Sequence, residues 1–174
     1  MPEFKIDYKQ IILRVAVFLA MLISSAVSTF QSFNLLLTAD YGIDMTSLYS
    51  TIRWFMPPIM AIFYYFLYRI YINILRTTLN SKMGVFDRAI NTDAVRAIVD
   101  PYMIALTLYI TLVNVLFMFF PLYENVLKTF LKVVGVGLVI YGVYERLNKN
   151  LEKIFRPVIF WGMQLPMILL VILV

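Results

Sequence analysis

The chain has no cysteine and no histidine, and only ten of its 174 residues are acidic. Without cysteine it has no disulfides, no thiolate metal sites and no thiol nucleophile. Without histidine it lacks the commonest general base and metal ligand, and any Ser-His arrangement is excluded. No glycine loop of the phosphate-binding kind is present, and there is no pair of aspartates placed for proteolysis within a membrane. Charged residues make up 14% of the chain, too few to cover a water-soluble surface. No cofactor is expected, and the absence of catalytic motifs argues for a protein that is not an enzyme.

Apolar residues are abundant. They form 62% of the chain, with a mean hydropathy of +0.84, against ~45–50% in soluble domains. They fall into five stretches that read as transmembrane helices, at about 11–33, 54–75, 102–121, 126–144 and 157–174. At ~1.5 Å per residue each matches a hydrocarbon layer of ~30 Å. The expected fold is all-α, a single membrane domain holding a bundle of about five transmembrane helices. A rival reading makes the first stretch a cleaved signal peptide with Ala26 and Ser28 at the cleavage site. The acidic Glu3 and Asp7 do not suit such a leader.

Positive charge alternates between the stretches. Twelve of the fifteen Lys and Arg residues lie before or at the start of the first stretch, from the end of the second to the third, or between the fourth and fifth. Lys and Arg in short loops mark the cytoplasmic side, so the N-terminus faces in and the C-terminus out. Residues 76–101 become the main cytoplasmic loop, and the location is the plasma (inner) membrane. The net charge of +5 then reflects topology and lipid headgroups, and nucleic acid is not an expected partner. Within 76–101, the segment Asn91–Val99 predicts a short capped helix that Pro101 ends. Around Pro57 and Pro58 the second helix is expected to start or to kink. Asp44-Met45-Thr46-Ser47 suits the start of a short interfacial helix.

Arg53, Lys128 and Lys132 lie on the side where positive charge is not expected. Lys128 and Lys132 are four residues apart and share a helix face with Gly135, Val139 and Gly142. A charge inside a membrane is costly and points to function, here an anion path or pairing with an acid of another chain. The bland account is snorkelling: Lys132 is roughly 9 Å in, a depth that a lysine stem covers. Glu124 is the nearby acid able to pair with either lysine.

Thr107, Thr111 and Asn114 share one face of the third stretch, with Asn114 near the midplane. They would line a polar path or hydrogen-bond between helices. Ser24 and Ser28 form a small-xxx-small pattern, and Gly135 and Gly142 a similar one at heptad spacing; both suit close helix packing. Tyr64, Tyr68 and Tyr71 share a face of the second stretch, and Gln164 with Pro166 suits a polar kink in the last. No carboxylate lies deep in any expected span. The loop acids Asp87, Asp93 and Asp100, with Arg88 and Arg96, would carry a lipid-modifying activity if there were one, although an ordinary solvated helix explains them equally.

These features favour a non-enzymatic subunit of a homo- or hetero-oligomeric membrane assembly for transport, a pore or export, with the lipid bilayer and other membrane chains as partners. A small channel or carrier using Lys128, Lys132 and Asn114 is the alternative.

Overall fold

The computed structural model describes residues 8–38, 46–82, 90–119, 124–150, 156–165 and 168. Its elements are all helical: α1 (Tyr8–Thr38), α2 (Thr46–Lys82), α3 (Thr92–Phe119), α4 (Glu124–Asn150) and α5 (Pro157–Met163). The first four have 31, 37, 28 and 27 residues, beyond the ~20 needed to span a bilayer. All four are apolar enough to cross a membrane. Of the expected fifth span at 157–174, the described part is α5 with its immediate continuation, and 169–174 lie outside the described residues.

Each long helix buries one stripe. On α1 it holds Val17, Ala20, Met21, Ser24 and Ser25; on α2, Ala61, Tyr68, Ile72, Leu75 and Leu79; on α4, Lys132, Val136, Ile140, Val143 and Leu147. Steps of three and four residues place each set on one helical face. The opposite faces expose Phe63, Phe66, Leu112, Phe130 and Leu138. Water would penalise so much apolar surface, whereas lipid accommodates it.

α1 and α2 pack antiparallel, with Phe18 edge-on to Tyr65 at 5.8 Å. The Ser25 hydroxyl donates to the carbonyl of Pro57 at 2.9 Å. α3 packs against both α1 and α2, while α4 rests mainly on α3 with a smaller contact to α5. α4 is therefore the flank of the bundle.

The structure corrects three local expectations. α2 begins at Thr46 and runs through Pro57 and Pro58, so neither proline starts the helix, and the expected interfacial helix is its first turn. The short helix at 91–99 does not end at Pro101 but forms the first turns of α3. A proline inside a helix costs ~3 kcal/mol through a lost hydrogen bond and a clash. Continuous burial offsets that cost here: Val95, Val99, Leu106, Ile110, Val113 and Phe117 stay on one buried stripe on both sides of Pro101. Residues 76–82 likewise belong to α2, and α4 continues to Asn150, so the expected cytoplasmic loop and basic linker are partly helical.

Candidate functional site

The polar side chains inside the bundle fall into two layers. The inner layer lies at the end that the Lys/Arg distribution assigns to the cytoplasm, and it joins three helices. Arg14 of α1 forms a salt bridge with Asp93 of α3 at 2.5 Å. Tyr68 of α2 donates its hydroxyl hydrogen to the Asp100 carboxylate. Asp100 is only 2% exposed, which corrects its reading as a solvated loop acid. Arg14 and Arg96 lie within electrostatic reach of it.

Arg76 donates to the Thr92 hydroxyl at 2.8 Å. Tyr71 donates to the side-chain carbonyl of Gln164 at 2.7 Å, tying α2 to the segment after α5. The expected tyrosine face is thus used for polar contacts: Tyr68 and Tyr71 each hold a different helix. Pro166 lies outside the described residues, as do Asp87 and Arg88.

The outer layer lies at the seam of α3 and α4. Tyr102 lies against Gly142 and Tyr109 against Gly135, where an added Cβ would fall on the tyrosine ring. The Tyr109 hydroxyl donates to the backbone carbonyl of Leu131 at 3.0 Å. Gly135 and Gly142 therefore serve close packing within the chain. The two contacts step seven residues along each helix in opposite directions, which fixes an antiparallel register. In that register Leu112 opposes Lys132, and Asn114 lies roughly 3 Å further toward the outer end and about a third of a turn round α3 from the Tyr102 and Tyr109 face that meets α4.

Both polar residues are enclosed, with Asn114 1% exposed and Lys132 7%. Among the described residues, neither the oxygen nor the nitrogen of the Asn114 amide has a hydrogen-bond partner. Among the described residues Lys132 has no acidic partner, and its charged neighbour is Lys128. Lys128 donates to Gln31 of α1 at 2.9 Å. The Glu124 side chain lies outside the described residues.

The remaining expected residues are satisfied locally. Thr107 and Thr111 donate to the carbonyls of Met103 and Thr107, at 2.7 and 2.8 Å on their own helix, so of that face only Asn114 is left unpaired. Ser24 is buried, and Ser28 accepts at its backbone carbonyl from Ser32. Arg53 stacks over the Phe30 ring at 3.6 Å, a cation–π contact that accounts for its position near the outer end.

Fold and polar layers define a multi-pass α-helical membrane protein whose interior carries two kinds of polar site. No family model, curated protein or solved structure matches the chain, so the functional reading rests on these residues. Among the described residues no group of acidic side chains could hold a metal.

Proposed function

We propose that the chain is a non-enzymatic subunit of a homo- or hetero-oligomeric assembly in the plasma (inner) membrane, of the kind that forms transport, pore or export machinery. The observation that supports this is the α3/α4 seam. A buried amide with neither atom paired costs about 1–3 kcal/mol per unmade hydrogen bond, and a buried ammonium without a counter-charge costs more. A lone bundle gains nothing from keeping Asn114 and Lys132 there. Both are enclosed within the single chain, so a neighbouring chain would reach them by displacing α4, and would then offer a carboxylate to Lys132 and an amide or carbonyl to Asn114. The seam belongs to α4, the flanking helix, which is where a neighbour has access.

The cysteine-free chain provides a clean background for the test. Single cysteines at Phe130 or Leu138, both on the exposed face of α4, should cross-link to a neighbouring chain in native membranes. The purified protein should run above monomer mass in mild detergent. A monodisperse monomer with no cross-link at either position would defeat the proposal.

A second reading, a small channel or carrier, is favoured by Lys128 and Lys132 lying one turn apart on α4, with Lys132 and Asn114 both enclosed in the outer half of the bundle. Reconstituted liposomes should then pass anions, and Lys132→Ala and Asn114→Leu should change the flux. Equal, ion-independent permeability in all three proteins would sink it.

A further inference from the structure

We propose that the inner ends of α2 and α3 form a binding site for a phosphate group, built from Arg76, Asn80, Thr92 and Arg96. Arg76 and Asn80 are four residues apart on one face of α2, and Thr92 and Arg96 are four apart on one face of α3. The Arg76–Thr92 hydrogen bond brings these two faces together. It sets the Arg76 guanidinium one helical turn from the position of Arg96.

The two arginines hold unused donors. The Nε of each is buried and has no hydrogen-bond acceptor among the described residues. Neither has a carboxylate within salt-bridge distance among the described residues. The nearby acids are engaged elsewhere: Asp93 by Arg14, and Asp100 by Tyr68. Asp100 still balances part of the Arg96 charge, which leaves Arg76 without a compensating acid among the described residues. Asn80 commits its carbonyl oxygen to the backbone N–H of Ile90 at 2.8 Å, so its amide nitrogen remains as a donor.

Two guanidinium groups, an amide and a hydroxyl make a donor set without an acceptor of matching valence. A phosphate supplies several oxygens in the geometry that guanidinium forks take up, and an ion-paired hydrogen bond is about twice as strong as a neutral one. The position, at the end of two membrane-crossing helices on the side rich in Lys and Arg, is the depth of a lipid headgroup. A phosphate in the surrounding water offers the same chemistry.

The full chain in mild detergent is titrated with a fluorescent short-chain phosphatidylglycerol, with unlabelled phosphatidylglycerol, a phosphate-free short-chain diacylglycerol and inorganic phosphate as competitors. Arg76→Gln and Arg96→Gln should each weaken phosphatidylglycerol binding about tenfold, the loss of one charge-assisted hydrogen bond. Arg76→Lys should fall between these and the wild type, because it keeps the charge but loses the planar fork. Arg69→Gln removes the same charge from an exposed position on α2 and should change binding less than about twofold, as expected for a screened surface charge. Competition by inorganic phosphate identifies a water-borne ligand; competition by unlabelled phosphatidylglycerol alone identifies a lipid. Thermal melting checks each variant's fold, and Arg76→Lys carries the comparison if Arg76→Gln does not fold. Equal weakening by Arg69→Gln and Arg76→Gln, or equal displacement by the phosphate-free diacylglycerol, would overturn the site.

Discussion

The two polar layers have been resolved in opposite ways. In the inner layer both acids are held: Asp93 faces Arg14, and Asp100 accepts from Tyr68. In the outer layer Asn114 has both amide atoms unpaired, and Lys132 meets another lysine rather than an acid. The first arrangement joins α1, α2 and α3 and reads as part of what holds the fold together. In the second, Tyr109 and Lys128 join neighbouring helices, but Asn114 and Lys132 hold nothing together among the described residues. Buried polar groups that a fold does not use are the ones to assign to a partner or ligand, because an isolated bundle would do better with apolar side chains there.

That contrast breaks most readily at Tyr68. Tyr68→Phe should leave the buried Asp100 carboxylate without its donor and destabilise the chain by about 1.5–3 kcal/mol, the usual worth of a hydrogen bond to a charged group. Unfolding of the purified protein in mixed micelles measures it. A loss of a few tenths of a kcal/mol would show that the inner layer is as dispensable as the outer one.

Gly135→Ala tests the seam itself. The added methyl would fall on the Tyr109 ring, and that ring is anchored by its hydroxyl to Leu131. Overpacking of this kind costs about 1–3 kcal/mol. Gly142→Ala meets the Tyr102 ring, for which no such anchor is seen, and should cost less in the same assay. The reverse order would mean that the Tyr109 hydroxyl does not hold its ring in place.

Asn114→Leu should move stability the other way. Replacing an unpaired buried amide by an apolar group of similar size removes a desolvation penalty, so the isolated chain should gain roughly 1 kcal/mol. Its cross-linking or flux should fall at the same time. Gained stability with lost assembly would place Asn114 among residues kept for a partner. A destabilised Asn114→Leu would show that the amide is paired within the chain.

Much of the fold was legible because burial in a membrane helix is periodic. Four of the five expected spans correspond to α1 to α4, and the described part of the fifth is α5. The boundaries were less legible because prolines were read as stops. Pro57, Pro58 and Pro101 all sit inside helices, where packing on either side outweighs the missing N–H. The buried stripe running Val95, Val99, Leu106 was visible in the sequence and outranks a single proline. Reading Pro101 as an end also put Asp100 in a loop and hid its burial. For the site, Lys132 and Asn114 could be named because polar residues in apolar stretches stand out. Arg14 and Asp93 could not: they are 79 positions apart, and only the packing of α1 along α3 brings them together.

The smallest expected effect marks the edge of the inner layer. Arg14 and Asp93 are a little over a third exposed, at 36% and 39%. Water and salt therefore screen their attraction even at a short distance, and exposed pairs contribute about 0–1 kcal/mol. Arg14→Gln should cost less than about 1 kcal/mol and lose most of that difference in high salt, where the Debye length shrinks to ~3 Å at 1 M. The Tyr68–Asp100 bond is enclosed, so the Tyr68→Phe loss should persist in the same salt. A salt-independent loss at Arg14 as large as that at Tyr68 would extend the structural layer out to the inner membrane surface.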